Sequence, residues 1–278
     1  MFYLQLRNEL WKLFGKKRTY IGFLMFLLAQ NVIILMFRFS PASRNMMRTL
    51  EGNGYLAEQY LSSLTVATVM LFPLAYILLP LYVSLVGGDL VAKEVEDGTL
   101  RMILARPISR FRLLGLKWLA GAIFSGALAF ALGVFGIVFA SFWFPWRGLF
   151  VFVPGEIFSL FSAGAGFEHY LGAHAMIALA AGTVMGLAFM FSCFNVKPAA
   201  ATILALSFVF VNFIMQNIPY FREIQHWFLT YHLHVWQKMF AQPISWWDIT
   251  QSLCVLMAFN VTFIVVGTTA FHVRDFKS

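Results

Sequence analysis

The residues with the most versatile chemistry in this chain are its histidines. His226, His232 and His234 fall close together, and Glu168 stands beside His169 with His174 one helical turn on. Neutral imidazole ligates zinc and copper, but compact sites need tight ligand spacings, and none is present. No metal site is therefore expected. Nucleotide chemistry needs a glycine-rich loop ending in Lys and Ser or Thr. Here the Gly-Lys pair, Gly15-Lys16, is followed by Lys17 and lacks the upstream glycine. No set of nucleophile, base and acid stands out, and HExxH is absent. Cys193 and Cys254 sit in apolar stretches, too few for a disulfide framework or zinc motif, and read as small buried hydrophobes. Carboxylates deep in those stretches are missing too, which argues against a proton- or sodium-coupled carrier. The chain is not expected to be an enzyme by itself.

Charge is concentrated instead in residues 89–117, DLVAKEVEDGTLRMILARPISRFRLLGLK, which lie between two apolar stretches. Lys93, Arg101, Arg106, Arg110, Arg112 and Lys117, with Asp89, Glu94, Glu96 and Asp97, cannot lie in hydrocarbon. The pattern reads as helix, break, helix. Residues 90–95 continue a preceding helix, and Gly98 suits a left-handed helix-ending position. Thr99 is placed to cap a short helix carrying Leu100, Ile103 and Leu104, which Pro107 ends. Ser109 can cap the next span. A short helix with an apolar side, lying across the membrane surface, suits docking into another protein's groove.

The order Asp89, Glu94, Gly98-Thr99-Leu100, Pro107, Arg110, Lys117 resembles the cytoplasmic signature of type-2 ABC exporter permeases, membrane subunits that pair with a separate ATP-binding-cassette ATPase. The resemblance implies that residues 88–111 are the coupling segment. Glu94, Asp97, Gly98, Thr99 and Leu100 would contact or shape the ATPase groove, and Pro107, Arg110 and Lys117 would fix the return into the third span. It also implies two ATPase subunits, which carry the ATP and Mg, and a second permease subunit in a homo- or heterodimer. The expected location is a bacterial or archaeal plasma (inner) membrane.

The elements that must position this segment follow from composition. With 278 residues, 60% hydrophobic, 12% charged and a mean hydropathy of +0.77, the chain is too apolar for a soluble domain. The fold class expected is an all-α membrane protein of six transmembrane helices, a single domain over 1–278. Residues 1–18 form an amphipathic elbow helix rather than a signal peptide, with Phe2, Tyr3, Leu6, Leu10, Leu13 and Phe14 on one side. Gln5, Asn8, Glu9, Lys12 and Lys16 fall on the other. It should lie flat in the inner headgroup layer, an arrangement the resembled family shares.

Spans are expected at 20–37, 61–87, 113–143, 172–194, 199–216 and 249–271. Residues 38–60 read as an outside loop. Residues 142–170 read as an outside interfacial or re-entrant piece, and 217–248 as an outside region whose Trp227, Trp236, Trp246 and Trp247 form an aromatic belt. Pro73 and Pro80 should kink the second span. Gly182 and Gly186 form a GxxxG arrangement suited to close helix contact. The net charge of +8 follows membrane topology rather than nucleic acid, since the basic residues flank the spans. Fourteen of the 20 Lys and Arg fall on the expected inner side, with both termini cytoplasmic. Amides within the spans, Gln30, Asn31, Asn212, Gln216 and Asn260, are costly against lipid and are candidates for a translocation path or for gluing helices together.

These expectations converge on an ATP-driven export permease with an unidentified substrate. Two alternatives stay open: an ABC-type complex doing mechanical or signalling work, and an ATP-independent membrane enzyme or scaffold.

Overall fold

The computed structural model describes residues 2–104 and 108–273, without the side chains of Arg18, Arg101 and Leu104. Arg106, Pro107, Arg274 and Lys277 lie outside the described residues. The protein is an all-α membrane protein with six helices long and apolar enough to cross a bilayer. In chain order, α1 (Phe2–Phe14) leads into the first long helix, α2 (Lys17–Phe39). The second long helix is composite: α5 (Ser63–Pro73), a π-helical turn (Leu74–Leu78) and α6 (Leu79–Glu96). Then come the short α7 (Thr99–Leu104), the long helices α8 (Arg110–Ser141), α9 (Ala163–Ser192) and α10 (Pro198–Asn217), the short α11 (Leu229–Leu233) and the long α12 (Trp246–Val273).

Helix α9 is the axis of the bundle. Its apolar window is 61% buried, against 17% for α10 and 22% for α12. It packs against α6, α8, α10 and α12. The exposed faces of α2, α10 and α12 are studded with Leu, Ile, Val, Phe and Met, the surface expected of helices solvated by hydrocarbon.

Two regions read as irregular are ordered. Residues 38–60 contain α3 (Pro41–Gly52) and α4 (Ala57–Tyr60). Proline at the first position of α3, with the Ser40 hydroxyl accepting from the Ala42 amide at 3.2 Å, gives it a well-formed start. Residues 142–170, expected to be an outside interfacial or re-entrant piece, hold an antiparallel hairpin of β1 (Leu149–Val153) and β2 (Ile157–Phe161), and α9 begins at Ala163. The hairpin turns at Pro154-Gly155, where Gly155 has φ +78° and the Glu156 amide bonds to the Val153 carbonyl at 3.0 Å. Phe150 packs with Leu50 and Ala57, and its amide donates to Thr65 Oγ1 at 2.9 Å. The hairpin and α3–α4 thus roof one end of the bundle.

Around its two prolines the second span departs from a regular α-helix. Pro80 has no N–H for the Tyr76 carbonyl, and the helix between the prolines widens, the Leu79 amide reaching back to the Leu74 carbonyl. Close helix contact comes from a different glycine pair than GxxxG. A Cβ on Gly87 would stand 2.4 Å from the Met185 carbonyl oxygen, and one on Gly88 would stand 2.5 Å from Thr202 Oγ1. At Gly182 nothing lies within 4 Å, and at Gly186 the neighbours are side chains, those of Asn260, Trp118 and Phe263.

Gly87→Val should therefore destabilise the fold by about 3 kcal/mol, because the obstacle is backbone of α9. Gly182→Ala should be neutral or stabilising by up to about 1 kcal/mol. Thermal unfolding of the purified chain distinguishes them, and equal melting temperatures would contradict this crossing of α6 and α9.

Candidate functional site

Where α1, α6 and α8 meet, four charged side chains form a closed ring. Lys117, 1% exposed and two turns into α8, places Nζ 2.8 Å from Glu9 Oε2 and 2.7 Å from Glu94 Oε1. Lys12 Nζ completes the ring, 2.7 Å from Glu9 Oε1 and 3.1 Å from Glu94 Oε1. An ammonium buried to this degree is tolerated only when paired. Two carboxylates and two ammoniums sum to zero. Glu9 and Lys12 are spaced i, i+3 on α1, so one helix face supplies both signs. Burial alone would raise the Glu9 carboxyl, but the Lys117 and Lys12 ammoniums hold it below its ordinary value. Burial alone would lower Lys12, yet Glu9 and Glu94 hold it above its ordinary value.

Glu94 and Lys117 come from the charged segment singled out in the sequence, whereas Glu9 and Lys12 belong to the polar side of the amphipathic α1. The structure sets Glu9, at the border of that side, against the bundle, and leaves Asn8 and Lys12 exposed. Leu13 is buried and Leu6, Leu10 and Phe14 pack on the core, while Tyr3, Leu4 and Trp11 are exposed. On the helical wheel Glu9 borders Leu6 and Leu13, the signal that could have found it.

The charged segment continues from this ring. Helix α6 runs on to Glu96, and Gly98 takes the left-handed conformation, φ +71°. Thr99 does not cap α7 with its hydroxyl, which instead donates to the Glu94 carbonyl at 3.2 Å. Lys93 pairs with Glu96 at 2.7 Å and Asp97 at 3.2 Å on the surface. The apolar side of α7 faces the bundle rather than a partner. Leu100 is 1% exposed and Ile103 packs on the core, leaving Glu96, Asp97, Gly98 and Met102 outward. Ser109 caps α8 by accepting from the Arg112 amide at 3.3 Å, and Arg110 donates to the His272 carbonyl at 3.2 Å, reaching the end of α12. Pro107 lies outside the described residues.

The five span amides do not converge within the chain. Gln30 donates to the Leu132 carbonyl at 2.7 Å, and Asn31 donates to its own helix at Leu27, 2.8 Å. Asn212 donates to the Phe208 carbonyl at 2.9 Å and accepts from the Leu229 amide at 3.3 Å. Asn260 donates to Thr183 Oγ1 at 2.7 Å and to the Leu256 carbonyl at 2.9 Å. Gln216, at the end of α10, has a buried amide oxygen without a partner. Gln30 and Asn260 therefore link helices. Three of the histidines hold hydrogen bonds: His169 to the Met239 carbonyl at 2.7 Å, His174 to the Tyr170 carbonyl at 2.8 Å, with its Nε2 buried and unpartnered, and His232 to Ser252 Oγ at 3.1 Å.

Removing Lys117 leaves two half-buried carboxylates sharing one partly exposed lysine. Lys117→Ala should cost about 3 kcal/mol in thermal unfolding. Lys93→Ala, which breaks surface pairs only, should stay within about 0.5 kcal/mol. Glu9's contribution is complete above its ordinary pKa of 4.5 and is lost as pH falls through the lowered folded value. That of Lys12 is complete below 10.5 and is lost as pH rises through the raised value. Amide exchange in α1 should accordingly show no loss of docking between about pH 5 and 9 beyond the intrinsic dependence, and loosening in stronger acid.

Comparison with curated proteins returned no match. The family described as ABC-2 family transporter protein matches residues 7–276, from just before Glu9 to beyond the end of α12 at Val273. That match takes in every member of the ring and all six long helices, so the chain belongs to the ABC-2 transporter family and is a permease subunit of an ABC transporter.

Proposed function

We propose that this permease couples ATP hydrolysis on a separate ATPase subunit to export, with α7 and the end of α6 receiving the ATPase and the Glu9–Lys12–Glu94–Lys117 ring passing its motion into the bundle. The observation that carries this reading is the ring itself. Glu94 sits one turn before the Gly98 break, and its carboxylate is tied to α1 and α8 together. A displacement of α7 cannot move the end of α6 without moving those two helices or breaking a buried ion pair. Outward-facing Glu96, Asp97, Gly98 and Met102 offer the ATPase a small, largely polar surface with one apolar side chain.

ATP and Mg would bind to the ATPase, since no phosphate loop occurs in this sequence. Two permease subunits, alike or different, would enclose the path. The excess of Lys and Arg near α1, α7 and the chain's end supports cytoplasmic termini and the plasma membrane of a bacterium or archaeon.

Purification from native membranes tests the reading. An ABC ATPase should co-purify in equal number with the wild-type chain. Gly98→Pro, which cannot adopt φ +71°, should lose at least about tenfold of it while still inserting in the membrane. Gly98→Asn, which tolerates the left-handed region, should retain it. No co-purifying ATPase, or full retention by Gly98→Pro, would refute the proposal.

A further inference from the structure

At the corner where α1 meets α2, on the side of α1 turned away from the charged ring, lies a groove of about 460 Å³. Arg7, Leu10, Trp11 and Phe14 line it and stand at i, i+3, i+4 and i+7, so a single stripe of α1 forms one wall. Tyr20, in the first turn of α2, supplies the wall from the second helix, and Gly15 lies at the turn between the two. The size falls in the range of small-molecule sites.

Three observations define what the groove takes. Positive potential collects there without a counter-charge. Arg7 and Lys17, the first residue of α2, are exposed, and among the described residues neither joins an ion pair. Nearby Glu9 and Glu94 do not offset them, because Lys12 and Lys117 already neutralise those carboxylates. Helix α2 also starts without a side-chain cap or an acid in its first turn, which leaves the positive end of its dipole uncompensated. The remaining walls are apolar or aromatic, and Trp11 and Tyr20 are 73% and 62% exposed; each has an oily body and a hydrogen-bonding tip, the kind of side chain that settles at headgroup level. The groove also leads onto hydrocarbon. From Tyr20, Ile21, Leu24 and Leu28 run at i, i+3 and i+7 down α2, each more than half exposed, as an oily track for an acyl chain.

We propose that this groove holds one anionic phospholipid of the leaflet in which α1 lies, with its phosphate against the Arg7 guanidinium, its glycerol esters against Trp11 and Tyr20, and one tail along Ile21, Leu24 and Leu28. The planar guanidinium fork matches two phosphate oxygens. Lys17 and the start of α2 favour a headgroup of net negative charge over a zwitterionic one, whose own ammonium they repel. A soluble anion gains nothing from the oily track, whereas a lipid does. The ring fastens α1 to α6 and α8, and the lipid holds the α1–α2 corner on the opposite side, so the composition of the leaflet sets how firmly that corner is seated. The site stands whether or not the complex is an exporter.

The test uses the full chain in mixed micelles holding equal amounts of phosphatidylglycerol and phosphatidylcholine, with native mass spectrometry counting the lipids retained. Phosphatidylglycerol should be retained in preference by about tenfold or more. Arg7→Gln combined with Lys17→Gln should reduce that retention at least about fivefold. Arg44→Gln combined with Arg48→Gln, the same change of charge on the exposed side of α3 at the other end of the bundle, should leave it unaltered. Trp11→Ala, which keeps the charge and removes a wall, should lower it about threefold. Equal retention of the two lipids, or equal loss in the two charge-removing pairs, would reduce the finding to general attraction and overturn the proposal. Displacement of the lipid by millimolar inorganic phosphate would overturn it by making the ligand a soluble anion. Disulfide crosslinking of two chains through Trp11→Cys in a Cys254→Ser background would overturn it as well, by making the groove a subunit contact. No ATPase is needed, so failure here leaves the coupling proposal standing, and the converse also holds.

Discussion

A lysine ammonium with almost no access to water has to be neutralised, and that requirement organises one end of this protein. Lys117 can stay charged only if carboxylates reach it, and the two that do come from different helices. Meeting the requirement draws α1 against the start of α8 and fixes the end of α6 between them. A second lysine, Lys12, prevents the two carboxylates from repelling each other. Hydrophobic contact alone would leave α1 free to slide along the membrane surface, since Leu6, Leu10 and Leu13 have no directional preference. The ion pairs supply the register.

Much of this was legible in the chain. Apolar stretches long enough to span a bilayer, the charged segment at 89–117, the left-handed glycine and the Ser109 cap follow from local chemistry, because each depends on residues within a few positions of one another. The ring was half legible. Glu94 and Lys117 stood out for their place in the segment, but Glu9 and Lys12 were assigned by helical wheel alone, and a wheel shows which residues share a face without showing what that face meets. Burial of Leu100 was hidden for the same reason: α7 has an apolar side, and only tertiary contact decides whether it turns toward a partner or toward its own bundle.

The roof was missed for a different cause. Pro154-Gly155 between two runs of β-branched and aromatic residues is a hairpin signal, yet in a chain rich in phenylalanine those runs look like interfacial membrane anchors. Likewise GxxxG marks close approach only where a neighbouring backbone is present. Gly87 meets one and Gly182 does not. The second span carries both kinds of departure from a plain helix, since it is pinched against α9 at Gly87 and against α10 at Gly88 and loosened at Leu74–Leu78. A helix held firmly near one end and widened in its middle can pivot about the firm point.

The zero sum of the four charges has an electrical consequence. A group carrying net charge that shifts along the membrane normal does work against the transmembrane voltage, about 2.3 kcal/mol per elementary charge across 100 mV. A neutral quartet moving as a unit does none. The ring itself therefore adds no electrical work of its own to any motion of the joint between α1, α6 and α8.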